Sequence, residues 1–362
     1  MKKLLALILA VIMIAGLSAC GGKPDGGKPE ESSTKAAGGD DKVYSFVMGI
    51  PEVETTYRGK IDEWAAGLKD KSNGRIDISI QYGSVLGAPP EVLGLVETGG
   101  LDMTWFSTGH AGGRFTYAEV LNIPYIGVEN GMQVTKVAQE LYKEFTCFSD
   151  ELKTVHVLTV HANAATPISS NKKVAVPADF KGLQIRSSIT PQIMWLQNMG
   201  AAPVSFAITD SFENLSKNVC DAVCNDWNAI NAFKIYELNP CYMLDINLGC
   251  PISFIIMNSD RWDQLPDDLK ALFDETYEEL GFAVAECFSL STLENKQLSV
   301  DHGVEIVEVN DELLAAMEAA NEATAKQWIE KNTTADIDAQ AYYDRAVELL
   351  AEYAGDYAEW NP

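Results

Sequence analysis

Basic residues are scarce in this chain, and so are long apolar runs. Its 362 residues include 27 lysines and arginines against 52 aspartates and glutamates, so the net charge is −25. This deficit excludes a nucleic-acid binder that works through phosphate contacts, and it argues against docking on anionic lipid through a basic patch. No apolar run reaches the ~18 residues that a transmembrane helix needs. Charged residues make up only 22% of the chain, which excludes a disordered acidic protein.

Catalytic and cofactor motifs are also absent. The four histidines form no H-E-x-x-H pair, and there is no G-x-S-x-G, no G-x-x-x-x-G-K-[ST] and no G-x-G-x-x-G. The glycine-rich segment Gly109–Gly113 could present backbone N–H groups to an anion, but a plain flexible loop is the favoured interpretation. We therefore predict a protein that is not an enzyme and that holds no cofactor or metal.

The first residues carry the pattern of a secretory signal. Lys2 and Lys3 precede an apolar run of 14 residues, Leu4–Leu17, which is too short to span a bilayer but typical of a signal-peptide core. The following sequence, Leu-Ser-Ala-Cys-Gly, resembles a bacterial lipobox, which implies cleavage before Cys20 and a lipid on its sulfur. An ordinary secretory signal with an incidental cysteine is the alternative. We expect a signal peptide over residues 1–19.

Residues 20–42 have the composition of a tether. They are rich in glycine, proline, serine and charge, and they contain no large apolar side chain. A lipid anchor followed by a flexible tether would hold the rest of the chain outside the cytoplasmic membrane, in a periplasm or on the outer face. Nucleotide cofactors are not expected there.

Strand and helix patterns alternate after the tether. Alternating apolar residues over 44–48 and 76–82 predict strands, and the helical spacing of Ile61, Trp64 and Leu68 predicts a helix between them. A short helix and a third strand at 101–106 follow. This β-α-β-α-β order indicates an α/β fold with a mainly parallel sheet, and the length of the chain suggests two domains.

Two helical patterns stand near the end of the chain. Residues 266–301 carry apolar side chains at helical spacing throughout, which predicts one long helix that could brace two domains. Residues 338–353 predict another amphipathic helix. Six cysteines follow Cys20 in the sequence, and most of them are expected to be buried and free, although an extracytoplasmic location permits disulfides.

The segment 177–226 carries a family resemblance. It contains PADFKGLQIRSS and then GAAPVSFAITDSFENLSKNVCDAVCND. Both stretches resemble motifs of the extracytoplasmic solute-binding proteins of TRAP transporters, the dicarboxylate-binding-protein family. Leu86-Gly87, the segment 122–125 and the segment 257–266 match further family motifs in the same order, so the resemblance spans about residues 44–303.

The resemblance implies a two-domain fold of the periplasmic-binding-protein type II class. Hinge strands would join the domains, and a long helix would lie across both of them. The matching boundaries place residues 43–163 and about 251–288 in domain I, and residues 164–250 and about 289–362 in domain II. The ligand, a small organic acid, would sit in the interdomain cleft, and the closed protein would deliver it to the membrane subunits of an ion-driven transporter.

Arg186 is the first candidate for ligand binding. The family arginine at this motif position binds the carboxylate of the ligand, and a planar guanidinium can make two parallel hydrogen bonds to that group. Asn225 matches the family asparagine that binds the same carboxylate. The alternatives are an exposed strand arginine paired to one of many acids, and an asparagine in a turn.

The remaining candidates are placed by the third strand and by approximate alignment. Trp105, Ser107 and Thr108 end that strand, although core packing would explain Trp105 equally well. With them, the full predicted set of ligand-binding residues is Arg186, Asn225, Trp105, Ser107, Thr108, Ile208, Asn163, Glu54 and Trp227.

The sequence also departs from the family pattern. Some binders of acidic sugars carry a second arginine where this chain has Pro167, and Ile208 stands where the family often has an aromatic ring. These departures favour a small monocarboxylate with an apolar or ring portion. A C4-dicarboxylate would need another donor, such as Arg58 or Arg114.

Three other functions compete with delivery to a transporter. A sensor lipoprotein that presents its ligand to a membrane receptor is the main alternative. An extracytoplasmic enzyme is disfavoured because no nucleophile, base and orienting group come together in the sequence. An adhesin or structural lipoprotein fits least well with a non-repetitive α/β pattern.

Overall fold

The helices and strands belong to two β-sheets with helices packed around them. The computed structural model describes residues 42–52, 56–238 and 240–360. The predicted signal peptide, Cys20 and nearly all of the tether therefore lie outside the described residues. The strands are β1 Tyr44–Ile50, β2 Ile76–Tyr82, β3 Met103–Ser107, β4 Val155–Ala162, β5 Ile168–Ser170, β6 Gln184–Arg186, β7 Ala202–Val204, β8 Ala222–Cys224, β9 Tyr242–Leu244, β10 Ile252–Asn258 and β11 Glu305–Val307.

Helices connect and cover these strands. They are α1 Arg58–Lys71, α2 Val92–Glu97, α3 Gly131–Glu144, α4 Thr146–Ser149, α5 Thr190–Asn198, α6 Ser211–Ser216, α7 Trp227–Ala232, α8 Ser259–Asp263, α9 Asp267–Asp274, α10 Tyr277–Asp301, α11 Asp311–Asn332 and α12 Ala339–Glu352. Among the described residues, no helix is both long enough and apolar enough to cross a membrane.

The first sheet, with the helices packed on it, forms the first lobe. Its strand order is β2-β1-β3-β10-β4, with β1 parallel to β2 and β3, and with β10 antiparallel to β3 and β4. Successive residues of β10 point to opposite faces, so Phe254 and Ile256 pack in one core while Ile255 and Met257 pack in another. Both faces are therefore covered, as the apolar character of this strand requires.

The second sheet forms the second lobe. Its strand order is β11-β9-β5-β8-β6-β7, and β6 is parallel to both β7 and β8. Strand β5 is antiparallel to β8 and β9. The predicted strand around residues 183–187 is β6, and its central Ile185 is fully buried beneath Phe180 and Trp195.

Two segments of chain cross side by side between the lobes. The first leads from β4 to β5, and the second leads from β9 to β10. They are joined by backbone hydrogen bonds from Asn163 to Pro251 (2.8 Å) and from Thr166 to Gly249 (3.1 Å). Gly249 has φ +89°, and a Cβ atom there would lie 2.5 Å from the Cα of Asn122, so only glycine fits. These segments occupy the place at which hinge strands were predicted.

Helix α10 spans both lobes, but the predicted single helix over 266–301 is wrong. The structure divides it into α9 and α10, with a break at Glu275 and Thr276. The Thr276 hydroxyl donates to the Phe273 carbonyl (2.8 Å) and accepts from Trp64 Nε1 (2.9 Å), so a tertiary contact holds the break. The 25 residues of α10 still extend over about 37 Å at 1.5 Å per residue.

Gly281 allows α10 to lie directly on the first lobe. A Cβ atom at this position would lie 2.7 Å from the Val160 carbonyl oxygen of β4 and would also collide with Gln139 of α3. Farther along α10, Asn228 of α7 donates to the Phe288 carbonyl (3.3 Å), and Lys296 pairs with Asp245 (2.7 Å) of the second lobe.

The position of helix α12 differs from the predicted domain assignment, which placed residues 289–362 in the second domain. Its buried residues Tyr342 and Leu349 belong to the same apolar core as Val134 and Leu141 of α3 in the first lobe. Tyr342 also donates a hydrogen bond to the Tyr117 carbonyl (3.0 Å). The chain therefore returns to the first lobe at its end, because the apolar face of α12 is complementary to α3.

The six cysteines among the described residues are free. Four of them are buried and two are half-buried, so the expectation that most are buried and free agrees with the structure. The four buried ones are Cys220, Cys224, Cys241 and Cys250.

Candidate ligand-binding cleft

A cavity of about 520 Å³ lies between the two lobes. Its walls come from the end of β1, the end of β3, the two crossing segments, the ends of β6 and β8, and helices α5, α7 and α10. This volume is in the range of sites for small organic molecules. In open α/β sheets such sites form beyond the carboxyl ends of the strands, where β1, β3, β6 and β8 end here.

Arg186 provides the positive charge of the cavity. It ends β6 and is only 7% exposed. Its Nε donates to the Phe206 carbonyl (3.1 Å), one terminal nitrogen donates to Asn225 Oδ1 (3.3 Å), and the other donates to Ser188 Oγ (3.1 Å). All three acceptors are neutral.

No acidic side chain among the described residues forms an ion pair with Arg186. The ion pairs of the described residues involve other arginines and lysines, such as Arg114 and Arg261. Burial lowers the pKa of the guanidinium, but arginine starts so high that it keeps its proton. Of its five N–H groups, three are used in the bonds above, so the cavity contains a buried cation with free donors.

Asn225 adds a further free donor beside Arg186. It follows β8, which is the parallel neighbour of β6, and the pairing of Arg186 with Val223 brings the two side chains together. Because Oδ1 accepts from Arg186, the amide nitrogen is directed elsewhere. Asn225 Nδ2 is buried and has no hydrogen-bond partner among the described residues.

Aromatic rings form the first-lobe wall. Tyr57 packs against Trp105 with ring centroids 5.0 Å apart and against Phe288 at 5.3 Å. His110 meets Trp105 edge-on at 5.6 Å. Rings in these arrangements offer the tilted and stacked contacts that favour another planar ring.

The indole of Trp105 is fixed from behind by His161. Trp105 Nε1 donates to His161 Nε2 (2.8 Å), while His161 Nδ1 lies 3.2 Å from the Ala162 carbonyl. Burial lowers the pKa of His161 to about 4, so the imidazole is neutral and accepts at Nε2. The orientation of the aromatic wall is therefore set before any ligand enters.

A carboxyl group lies on the same wall. Glu52 follows β1, and its Oε2 accepts a hydrogen bond from the Tyr57 hydroxyl (3.2 Å). Its Oε1 lies 3.6 Å from His110 Nε2, beyond hydrogen-bonding distance. Burial raises the pKa of Glu52 to about 7. Burial and the charge of Arg186 lower the pKa of His110 to about 4, so the pair is not an ion pair near neutral pH.

Amides close the cavity along α7 and α10. Asn228 Oδ1 accepts from Asn295 Nδ2 (2.7 Å), and Asn231 and Asn295 are also hydrogen-bonded to each other. Asp226 caps α7 by accepting from the Ala229 N–H (2.8 Å). Burial raises the pKa of Asp226 to about 6.

The structure brings together six of the nine predicted site residues. The residues that line the cavity are Arg186, Asn225, Trp105, Ser107, Ile208 and Asn163. Ser107 and Asn163 are partly engaged, since Asn163 Oδ1 accepts from Ser253 Oγ (2.9 Å) and the Ser107 N–H donates to His110 Nδ1 (3.5 Å).

Of the other three predicted residues, two do not line the cavity and one lies outside the described residues. Thr108 is fully buried, and it is not among the cavity residues. Trp227 is buried in an apolar core with Leu215 and Ile230, because its position at the start of α7 turns it away from the cleft. Glu54 lies outside the described residues.

The two candidate extra arginines are engaged elsewhere. Arg58 pairs with Asp62 (3.8 Å) and lies over the ring of Tyr82, while Arg114 makes an ion pair with Glu97. Neither lines the cavity, so within the described part of the chain Arg186 is the arginine of this site.

Sequence reasoning missed several lining residues: Glu52, Tyr57, His110, Ser188 and Phe288. The rule that loops after parallel strands form binding sites could have identified Glu52 and Tyr57. His110 and Gly109 belong to the glycine-rich segment that was expected to be a plain loop. Gly109 takes part through its carbonyl, which accepts from Ser188 Oγ (2.8 Å), rather than through the N–H groups considered. Phe288 had no signal, because its helical spacing looks the same as core packing.

The family model for bacterial extracellular solute-binding protein, family 7, matches residues 46–332. This chain belongs to that family. Membership in family 7 confirms the resemblance predicted from the motifs of residues 177–226. Family 7 is a class of solute receptors for transport.

Individual relatives of this family 7 protein are distant in sequence but similar in fold. A solute-binding protein of Chromohalobacter salexigens is 21% identical over 273 residues, which cover 75% of this chain and 80% of the relative. A TRAP solute-binding protein from a marine metagenome, solved with 3-hydroxybenzoate, is 24% identical with a TM-score of 0.79 and covers 86% of this chain and 99% of its own. A TRAP solute-binding protein of Rhodoferax ferrireducens, solved with copurified benzoate, is 20% identical with a TM-score of 0.77. The match covers 86% of this chain and 98% of the relative. The predicted two-domain α/β fold is confirmed.

Proposed function

We propose that this protein captures a small monocarboxylate with an aromatic or other planar ring and delivers it to the membrane subunits of a TRAP-type secondary transporter. The observation that carries the proposal is the buried guanidinium of Arg186, which has neutral partners and free N–H groups in a cavity of molecular size. A buried charge is costly unless it is paired, and a ligand carboxylate supplies the missing partner.

Asn225 supports the same assignment. Its buried Nδ2 donor has no protein partner among the described residues, and it lies beside the guanidinium. One carboxylate can accept from both residues, because each of its two oxygens has acceptor capacity for more than one donor. A dicarboxylate would need a second cation, and Arg58 and Arg114 do not line the cavity.

The aromatic wall supports a ring on the ligand. Tyr57, Trp105 and Phe288 present ring faces and edges to the cavity, and His161 holds the indole in place. The two solved relatives described above hold benzoate and 3-hydroxybenzoate, which have this combination of one carboxylate and one ring.

The anchoring of the protein is part of the proposal. A lipid on Cys20 and a tether over residues 20–42 would hold the binding lobes beside the transporter, outside the cytoplasmic membrane. The mass of the N-terminal peptide of the protein isolated from its host reports whether Cys20 carries the lipid.

A matched pair of ligands tests the carboxylate requirement. The protein is unfolded and refolded to remove carried-over ligand, and calorimetry then compares benzoate with benzamide, which has the same ring but no charge. We expect benzamide to bind at least ~100-fold more weakly, because the charged hydrogen bonds to Arg186 are lost. Equal affinity would contradict the carboxylate clamp. Tighter binding of succinate than of benzoate would move the substrate to the dicarboxylates.

Uptake measurements test delivery. Membrane vesicles that contain the transporter subunits should accumulate labelled ligand only when the loaded protein is added. Binding without stimulated uptake, together with a response of a membrane receptor, would favour the sensor function instead.

A further inference from the structure

The Glu52 side chain and the His110 ring leave a gap on the first-lobe wall. Glu52 and His110 both line the cavity, and Glu52 Oε1 and His110 Nε2 are 3.6 Å apart, so these two atoms do not hydrogen-bond each other. The Ser107 N–H is directed at His110 Nδ1 (3.5 Å), so we assign the imidazole proton to Nε2. The wall therefore presents one acceptor, Oε1, beside one donor, Nε2–H.

Water or a ligand must satisfy these two groups. Each is largely removed from bulk solvent, with side chains only 23% and 12% exposed. A buried polar atom without a hydrogen-bond partner costs free energy, so a ligand that covers the wall with carbon alone is penalised.

A hydroxyl oxygen fits this gap in a way that other groups do not. An oxygen about 2.8 Å from both atoms could accept from Nε2–H and donate its own proton to Oε1, since a hydroxyl does both. An ammonium only donates and would leave Nε2–H unsatisfied. A second carboxylate only accepts, so it would leave Glu52 Oε1 without a donor, and it would face the ionised form of Glu52 with like charge.

The wall lies on the opposite lobe from the anion site. Arg186 and Asn225 come from β6 and β8 in the second lobe, whereas Glu52 follows β1 and His110 follows β3 in the first lobe. A ring acid with its carboxylate at Arg186 therefore also meets the first-lobe wall across the cleft, since both sets of residues line the same cavity.

We propose that Glu52 and His110 are specificity-determining residues that select ring acids carrying a hydroxyl in addition to the carboxylate. This inference rests on the proposed function, because the ligand must first be held by Arg186. The inference adds a hydroxyl group to the proposed ring acid and assigns its recognition to Glu52 and His110.

Calorimetry with benzoate and its 2-, 3- and 4-hydroxy isomers tests the inference. In the wild-type protein we expect the best hydroxy isomer to bind at least tenfold more tightly than benzoate. In Glu52→Met, which keeps the length of the side chain but removes its acceptors, the ratio of hydroxy-isomer affinity to benzoate affinity should fall to threefold or less. Glu52→Gln, which still offers a carbonyl acceptor, should retain an intermediate preference.

Control variants separate this result from general damage and from failure of the proposed function. Glu63→Met changes an exposed glutamate of α1 and should keep the wild-type preference. Arg186→Ala should weaken benzoate and its hydroxy isomers by the same factor. If Glu52→Met does not fold, His110→Phe removes Nε2–H but keeps the ring, and it should also reduce the preference.

Two outcomes would overturn the inference. In the first, benzoate binds as tightly as every hydroxy isomer, and Arg186→Ala still abolishes binding, so the anion site stands and the hydroxyl site fails. In the second, the hydroxyl preference survives in folded Glu52→Met and His110→Phe. If no ring acid binds the wild-type protein, the proposed function fails and this inference fails with it.

Discussion

The two walls of the cavity leave opposite charges without an ionic partner. On the second lobe, Arg186 is surrounded by a carbonyl, an amide and a hydroxyl, all of them neutral. On the first lobe, the Glu52 carboxyl faces a tyrosine hydroxyl and an imidazole that burial keeps neutral. Many other charged residues of this acidic protein are paired with each other across the surface, as Lys143 is with Glu278.

The difference between the walls lies in how charge responds to burial. A guanidinium cannot give up its proton, so Arg186 stays charged and requires an anion. A carboxyl can take up a proton, and burial raises the pKa of Glu52 to about 7, so it can become neutral when no partner is present. The second-lobe wall therefore sets affinity for anions, whereas the first-lobe wall adjusts to the ligand and sets selectivity.

Removal of the guanidinium should give the largest effect. Arg186→Ala is expected to cost roughly 2–5 kcal/mol of binding free energy for any carboxylate, since the ligand loses its charge partner in a buried site. Arg186→Lys should recover only part, because a point charge cannot make the forked contact. Calorimetry with benzoate measures both. The exposed Arg345, which pairs with Glu144, gives a matched control in Arg345→Ala, and an equal loss in that variant would contradict the assignment.

An internal carboxylate should produce the next largest effect. Asn225→Asp places a negative oxygen about where Oδ1 now lies, 3.3 Å from the guanidinium, so Arg186 acquires a permanent partner. Affinity for benzoate should fall roughly 100-fold, or about 2.7 kcal/mol, because the ligand now meets a like charge. The ligand-free protein should melt at the same or a higher temperature.

The alanine variant at the same position separates charge from hydrogen bonding. Asn225→Ala loses the amide donor but leaves Arg186 unpaired, so its affinity should fall by only about 1.5 kcal/mol, the lower end for a hydrogen bond to a charged group. If the aspartate variant bound benzoate as tightly as the alanine variant, the absence of a counterion at Arg186 would not be what attracts the ligand.

The second-lobe wall could be predicted from the sequence because its parts are close together in the chain. Arg186 ends β6 and Asn225 directly follows β8, its parallel neighbour, and both lie within one segment whose motifs are recognisable. The alternation of the third strand likewise placed Trp105 and Ser107 on one face. Local sequence patterns of this kind are sufficient to predict site residues that lie along one edge of a sheet.

Apart from Trp105 and Ser107, the first-lobe wall could not be predicted in this way. Glu52, His110 and Phe288 come from three distant parts of the chain, and no sequence motif indicates that they meet at one wall. A phenylalanine at helical spacing is the same signal whether it faces a core or a cleft. The break between α9 and α10 has the same origin, because it depends on the hydrogen bond from Trp64 to Thr276, which is remote in sequence.

The smallest effect should be a pH dependence of stability that distinguishes the walls. The folded protein raises the pKa of Glu52 from its ordinary value of 4.5 to about 7, so the native state binds its proton more tightly than the unfolded chain. The free energy of unfolding should therefore be unaffected by this group below pH 4.5 and should fall as the pH rises toward 7.

Glu52→Gln removes this loss, so at pH 8 the ligand-free variant should be about 1–2 kcal/mol more stable than the wild type, and at pH 4.5 the two should be equal. Asp226, on the second-lobe side, has its pKa raised from 3.8 to about 6, so Asp226→Asn should reduce the fall in stability between pH 4.5 and 6 and leave the slope between pH 6 and 8 unchanged. Denaturant titrations at pH 4.5, 6 and 8 measure all three proteins, and a slope between pH 6 and 8 that is unchanged in Glu52→Gln would show that the first-lobe carboxyl does not adjust its proton to the cavity.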